Sequence, residues 1–346
     1  MHAALITGQS QVELREFDDP TPSAAGAVVD ISFCGICGTD IHAFQSGNPY
    51  NPAICGHEWV GSISALGSDA SRSSRLGEGD RVVVAVPPPC GQCETCRAGQ
   101  TTMCRTVFGV AVGRDPLAPK HGGFAPQIAV GIDRLVAADS RLTDEQAAQV
   151  EPSTVAFHAV RKSGVRLGDI AVVQGAGPIG LVTMQWVKAA GAGEVIVVEP
   201  NEARRALATD LGATMTATPD DIASVLDERT RGRGADIVYE CVGKPQTIQR
   251  AVELARRGGS MCLIGLADSD ATITPHIWLV KEINMTSALA YTHEEFEMAM
   301  GMIGDGRVIV DPMHSCTTSL DGLADALADL ASGQSEQTKV LVNPNW

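Results

Sequence analysis

Cys90, Cys93, Cys96 and Cys104 stand at C-x2-C-x2-C-x7-C spacing, inside the run Pro88-Pro89-Cys90-Gly91-Gln92-Cys93-Glu94-Thr95-Cys96. Four thiolates this close can complete a tetrahedron around one zinc ion, and a zinc with no open position holds a loop and does no chemistry. Disulfides are the rival reading, and they need an oxidising compartment. The start of the chain, Met1-His2-Ala3-Ala4-Leu5-Ile6-Thr7, lacks the basic start and long apolar run of an export signal. Of the other cysteines, Cys34, Cys55, Cys241, Cys262 and Cys316 stand mostly in apolar segments, as reduced core residues do. Cys37 falls in a different pattern, taken up below.

A second local pattern is Val172-Val173-Gln174-Gly175-Ala176-Gly177-Pro178-Ile179-Gly180, a G-x-G-x-x-G run. Alone it says little. Here it follows an apolar strand pattern and opens a helical one, the context that dinucleotide binding requires. Gly175 allows the tight turn, Gly177 lets backbone approach a pyrophosphate, and Gly180 lets helix and strand pack closely. The helix N-terminus offers unpaired N–H groups to phosphate. The next strand, Val195-Ile196-Val197-Val198, ends in Glu199. An acid there accepts from the adenosine ribose hydroxyls and repels a 2′-phosphate, which points to NAD. Arg204 and Arg205 keep NADP open, because a nearby Arg can receive that phosphate. The duller alternative is a glycine-rich turn in another doubly wound domain, with Glu199 a surface acid.

Two more motifs lie upstream: Cys34-Gly35-Ile36-Cys37-Gly38-Thr39-Asp40-Ile41-His42 and Gly56-His57-Glu58. With the four-cysteine lobe and the glycine-rich run, in this order along essentially the whole chain, they resemble the zinc-dependent medium-chain dehydrogenase/reductase family. The resemblance implies that Cys37 and His57 are ligands of a catalytic zinc. It offers Glu58 and Glu151 as carboxylate candidates and does not choose between them. Glu151, in Glu151-Pro152-Ser153-Thr154-Val155, stands where simple alcohol dehydrogenases usually carry Cys. A glutamate there resembles the sorbitol, 2,3-butanediol and threonine dehydrogenases. Threonine enzymes typically show Gly-Asn where this chain has Thr154-Val155, which favours the other two.

The chemistry implied is Lewis-acid activation of an alcohol at a zinc with an open position, with a nicotinamide as hydride acceptor. Thr39 resembles the hydroxyl that takes the substrate proton, His42 the outer member of the relay, and Asp40 the carboxylate that orients His57. The cofactor set implied is Gly175, Gly177, Pro178, Ile179, Gly180, Glu199, Arg204, Val242, Gly265 and Leu266. Each residue has a blander role when taken singly. His57 could be a core histidine, Glu151 a helix-capping acid before Pro152, and Thr39 and His42 turn and helix residues. Pocket walls are expected from residues 44–51, 86–88, 106–118 and Leu266. These are mostly small or apolar, with no basic cluster for an acidic substrate, so a neutral secondary alcohol, vicinal diol, polyol or matching ketone is expected.

The elements that must position these groups follow from the wider pattern. A chain of 346 residues usually makes two domains. A net charge of −15 argues against nucleic acid and anionic membrane surfaces as partners. The longest apolar stretch, 170–187, is broken by Gln174, three glycines, Pro178 and Gln185, so it reads as strand, turn and helix rather than a span. A cytoplasmic protein is expected. Short apolar runs at 3–6, 27–32, 59–66 and 81–86 predict a β-rich first third; 67–79 reads as a solvated loop and 101–120 as a long zinc-pinned loop. From Glu151 the pattern alternates. Strands are predicted at 170–173, 194–198, 237–239 and 260–264, with helices at 178–190, 201–211, 220–229 and 245–255. Such alternation implies a parallel sheet covered on both faces. Helices at 293–304 and 320–331 and a strand at 339–342 would return to the first domain.

The expected architecture is therefore α/β: a GroES-like β-rich catalytic domain over 1–151 and 289–346, carrying a structural zinc lobe at 90–104, and a Rossmann NAD-binding domain over 152–288. Two zinc ions per chain are expected. By analogy with the family the protein is a homo-oligomer, a tetramer favoured over a dimer, with 272–284 at the interface. Two alternatives remain: a threonine or sugar dehydrogenase of the same family, and a zinc-free quinone reductase-like or nucleotide-sensing protein. The second class characteristically lacks the Cys37/His57 pair and the four-cysteine lobe.

Overall fold

The structure is a computed structural model that describes residues 1–47, 55–114, 119–267 and 269–346. The chain divides into two compact units. One comprises Met1–Glu151, Ala290–Asp305 and His314–Trp346; the other comprises Pro152–Leu289 and Gly306–Met313. Residues 306–313 thus belong with the second unit, where the sequence pattern had grouped all of 289–346 with the first. The reason is a side-chain clasp: Gln185 Nε2 donates to Ile309 O at 2.9 Å, and Ile309 N donates to Gln185 Oε1 at 2.7 Å. Val308 and Val310 are buried beside it.

In the first unit, seven strands make one sheet. Its order is His314–Thr318, Lys339–Val342, Gly26–Gly35, Glu58–Leu66, Arg81–Val84 and Leu135–Ala137, with Gln127–Gly131 also paired to Gly26–Gly35. Alternate residues of these strands, among them Val29, Ile31, Trp59, Ile63, Val82 and Val84, meet in one core. Burying each large aliphatic side chain is worth ~1.5–3 kcal/mol, so this core holds the sheet that carries the site. A separate antiparallel pair, His2–Gly8 and Gln11–Glu16, completes the strands of this unit.

The second unit is a six-stranded sheet, parallel throughout. Its strands run Met215–Ala217, Glu194–Val198, Ile170–Gln174, Ala235–Glu240, Ala255–Leu263 and Asn284–Ser287. Counted along the chain that is 3-2-1-4-5-6, the Rossmann order. Strands buried on both faces need unbroken apolar runs, and Ala171, Val172 and Val173 are all 0% exposed. The helix Pro178–Ala189 begins with Pro at its first turn, where the missing N–H has no intrahelical partner to lose. Gly180 through Val187 are all buried, and the two polar side chains among them, Thr183 and Gln185, include the Gln185 clasp on Ile309.

Several elements escaped the sequence pattern. Residues 101–120 are not a plain loop: a 3-10 turn spans Thr101–Met103 and a helix Arg105–Ala111. Seven residues are too few to display a helical period, and only Val107 and Val110 face inward. A short helix, Ala70–Ser73, lies within 67–79. The helix Pro275–Lys281 and the strands Met215–Ala217, Asn284–Ser287 and His314–Thr318 were likewise unanticipated. Among the described residues no helix is long and apolar enough to cross a membrane.

Candidate active site and nucleotide-binding loop

Three neighbouring strands of the first unit build the metal-ligating group. Gly35, at the end of its strand, pairs with Glu58 on one side and with Leu341 on the other. Two residues beyond Gly35, Cys37 takes an extended conformation and caps the helix Gly38–Ser46. Asp40, wholly buried, ties the loops together. Its Oδ2 accepts from Cys37 N at 2.9 Å and its Oδ1 from Gly56 N at 3.2 Å. Gly56 has φ +66°, a conformation that favours glycine, and it turns the chain into His57.

As a result, one ligand atom each from Cys37, His57 and Glu58 lies within 4.8 Å of the others. Cys37 and His57 are half-buried, while Glu58 is 1% exposed. Glu151 does not join that trio. It lies at the start of the helix Val150–Ser163 and is hydrogen-bonded to Tyr291, near enough to bear on both His57 and Glu58.

The electrostatics indicate what such a group would hold. Burial alone would pull His57 down, but Cys37, Asp40 and Glu151 outweigh it and hold the imidazole well above its usual range. Glu151 is pushed up to about 7, chiefly by desolvation and further by Glu58, against the pull of His57. The causes differ: neighbouring negative charge raises His57 against its burial, whereas burial itself is the main effect raising Glu151. A mixed sulfur, nitrogen and carboxylate set with surplus negative charge is a good fit for a divalent cation of zinc's character. Lys339, 2% exposed, forms an ion pair with Glu58 behind the trio. Burial works against its charge, yet Glu58 and Cys37 keep its pKa raised.

The proposed relay residues share the helix Gly38–Ser46. The Cys37 thiol donates to Thr39 Oγ1 at 3.7 Å. His42 lies three residues on, on the same helical face, and is half-buried.

The four-cysteine lobe also closes. The Sγ atoms of Cys90, Cys93, Cys96 and Cys104 lie within 4.8 Å of one another, and all ten cysteines of the chain are free thiols. A backbone donor and a hydroxyl already lie against sulfur. Cys90 N donates to Cys104 Sγ at 3.3 Å, and Thr95 Oγ1 is 3.2 Å from Cys93 Sγ. The Thr95 contact leads the effects that lower Cys93 to about 5. Desolvation and the neighbouring thiols push Cys96 up to about 12. A set that stabilises some thiolates and penalises another for their proximity fits one cation at its centre.

In the second unit, Gly175 has φ +94° and its N–H donates to Val198 O at 2.8 Å. A Cβ on Gly180 would strike Gly175 O, whereas one on Gly177 would meet nothing. Gly177 thus leaves open space where a phosphate would approach. Glu199 braces this turn: Oε2 accepts from Ala176 N at 2.9 Å and Oε1 from Asn201 N at 3.0 Å. Arg204 stands at the start of the following helix, its N–H donating to Asn201 Oδ1 at 3.0 Å, and Arg205 Nη1 donates to Glu199 O at 2.8 Å. Val242 and Leu266 are exposed beyond the carboxyl ends of the strands, and Gly265 packs against Gly243.

Three residues that position these groups were missed from sequence: Lys339, Tyr291 and Glu240. Glu240, fully buried at a strand end, accepts from Val242 N at 2.9 Å, Gly243 N at 3.0 Å and Thr247 Oγ1 at 2.7 Å. Its one sequence signal is an acid between a buried strand and Cys241-Val242-Gly243. Of the expected pocket walls, Val86 is buried; positions 48–51 and 115–118 lie outside the described residues.

Residues 23–140 match the family described as the alcohol dehydrogenase GroES-like domain, and 178–305 match zinc-binding dehydrogenase. A 2-dehydro-3-deoxy-L-galactonate 5-dehydrogenase of Pseudoalteromonas atlantica is 30% identical, aligned over 100% of this chain and 99% of its own. A sorbitol dehydrogenase of Bacillus subtilis is 29% identical over 100% and 98%. Among solved structures, 2R,3R-butanediol dehydrogenase of Bacillus subtilis matches with TM-score 0.84 and 28% identity, covering 99% of both chains. A putative zinc-binding dehydrogenase of Sinorhizobium meliloti, bound to NADP, matches with TM-score 0.84 and 28% identity, also over 99% of both.

Proposed function

The chain belongs to the zinc-dependent medium-chain dehydrogenase/reductase family, in its sorbitol and butanediol dehydrogenase-like branch, and from that premise we propose that it transfers a hydride between NAD(H) and a neutral secondary alcohol, vicinal diol or polyol, or the matching ketone. The observation that carries this reading is the compact Cys37–His57–Glu58 group. A zinc ion held there would supply the Lewis acidity that makes an alcohol O–H a better acid, and the nicotinamide would take up the hydride. Cys37, His57 and Glu58 are the proposed ligands, with Glu151 beside them, oriented by Tyr291. Thr39 takes the alcohol proton and hands it toward His42, which releases it to solvent. Asp40 fixes the positions of Cys37 and the His57 loop through backbone N–H groups rather than by touching substrate.

The test is a panel of diols, polyols, simple alcohols and threonine, read as NADH formation by zinc-replete protein. Turnover of secondary alcohols or diols is expected. Threonine as the preferred substrate would favour the sibling activity, and no turnover with any of them would favour a nucleotide sensor.

NAD is the proposed cofactor, although one structural relative carries NADP. The reason is Glu199, whose carboxylate braces the glycine-rich turn and repels a third phosphate. Glu199→Ala should weaken NAD, relieve NADP, and narrow the preference about tenfold or more, since ~1.4 kcal/mol is tenfold in affinity. Steady-state kinetics with both cofactors measures it. Equal wild-type efficiency would show that Arg204 or Arg205 governs the choice.

Two zinc ions per chain are proposed, with separate duties. Cys96→Ser should remove the lobe zinc, leave the other in place and lower the melting temperature, because the loop 90–104 loses its clamp. Elemental analysis and thermal denaturation are the readouts. A variant with unchanged zinc and unchanged melting point would refute the assignment.

A cytoplasmic homo-oligomer is proposed. Among the described residues the outer strand of the parallel sheet, Asn284–Ser287, is paired on one side only, and Ile273, Leu279, Val280, Met285 and Leu289 are exposed apolar residues. Such an edge invites a second copy to extend the sheet, and a tetramer is favoured over a dimer.

A further inference from the structure

We propose that Lys339 is a positioning residue for the catalytic metal: its ammonium holds one carboxylate oxygen of Glu58, so that Glu58 can offer the ion only the other. The inference rests on the zinc reading of Cys37, His57 and Glu58 given above.

Lys339 opens the strand Lys339–Val342, which pairs with Gly26–Gly35 through Leu341 and Gly35. Its Nζ donates to Glu58 Oε2 and, at 2.9 Å, to the carbonyl oxygen of Ile36. Lysine is almost never fully buried unless it is paired, and this one is 2% exposed while its partner Glu58 is 1% exposed. Removing one member of such a pair leaves an uncompensated buried charge, which is strongly destabilising.

The backbone is shaped around the pair. A Cβ on Gly35 would run into Glu58 Oε2 and stand 2.8 Å from Lys339 Cε. Gly35 therefore leaves the space through which the ammonium reaches the carboxylate from the neighbouring strand. Three strands thus each contribute one feature: the ammonium, the gap and the carboxylate.

Charge explains why a cation belongs there. A thiolate at Cys37 and carboxylates at Asp40, Glu58 and Glu151 would sum to four negative charges, of which a divalent ion would offset two. Lys339 offsets one more, and a poorly hydrated site favours such compensation. Because it does so through a single oxygen, it also sets how Glu58 faces the Cys37–His57 side. Both oxygens free would favour a two-point grip on the ion and crowd the position that a catalytic zinc keeps open. With Oε2 held by Lys339, Glu58 would offer a bound ion one oxygen, as a one-point ligand.

The experiment uses full-length protein with cobalt(II) exchanged for the catalytic zinc, so that the visible absorption spectrum reports coordination. Lys339→Met keeps the length and removes the charge. The expected result is retained metal, a weaker and shifted cobalt absorption as coordination number rises, and a kcat ~10- to 100-fold lower, the usual cost of losing an outer-shell partner. Lys339→Arg should restore the spectrum at least in part. Gly35→Ala keeps both charges but intrudes on the pair; it should shift the cobalt spectrum too, and it decides the matter if the Met variant does not fold. A wild-type spectrum in whichever of these two variants folds would overturn the proposal, as would an Arg variant no better than Met. Wild-type protein that holds no metal at Cys37 and His57 would instead overturn the zinc reading, and this proposal with it.

Discussion

His57→Ala and Cys37→Ser should each reduce turnover to background and leave one zinc per chain, the one held by the four-cysteine lobe. The two residues occupy different chain segments that Asp40 ties together through Cys37 N and Gly56 N. Each supplies one atom of a trio lying within 4.8 Å, and two donors are too few to hold the ion tightly. Lewis-acid activation contributes several kcal/mol, and ~4 kcal/mol corresponds to about a 1,000-fold loss of rate. The loss should therefore be at least of that order and should fall on kcat. Zinc content by elemental analysis and rates under saturating cofactor are the measurements. Either variant keeping wild-type zinc and more than a tenth of the activity would remove that residue from the ligand set. Glu151→Ala belongs in the same series. Glu151 stands outside the trio on Tyr291, so retained zinc with poor turnover is expected; loss of zinc would make it an inner ligand.

What the sequence made legible was what lies close together along the chain. The lobe cysteines span 90–104 and the phosphate turn 175–180, so their spacing alone fixes what they can surround. Alternating apolar runs showed the parallel sheet because strands such as Ile170–Gln174 are buried on both faces and long enough to display it. The three-residue strand Met215–Ala217 and the seven-residue helix Arg105–Ala111 are too short to carry a period. Lys339 was invisible for a different reason. It lies 281 residues from Glu58, and only strand pairing brings them together. Tyr291 likewise reaches Glu151 from 140 residues further along the chain. Local spacing names candidate ligands; the residues that would hold them in place come from tertiary register, which no local pattern records.

Thr39→Val should reduce alcohol oxidation ~100- to 10,000-fold while both zinc ions stay bound, the range expected when a general acid–base step is lost. Valine keeps the branched shape on the helix Gly38–Ser46 and removes only the hydroxyl. Oγ1 lies 3.7 Å from Cys37 Sγ, which places it beside the ligand trio rather than within it. Without that hydroxyl the alcohol proton has no first acceptor, so the relay stops at its first step. His42 is the proposed outlet, three residues along the same helix and half-buried. Water can partly replace it, so His42→Ala should lose less activity. The deficit should be largest at neutral pH and should shrink as pH rises, because hydroxide then accepts the proton. A pH–rate profile for each variant, with zinc content checked, separates the two roles. Thr39→Val with near-normal rates would sink the relay in this chain. A His42→Ala deficit independent of pH would make His42 a packing residue of that helix rather than an exit for protons.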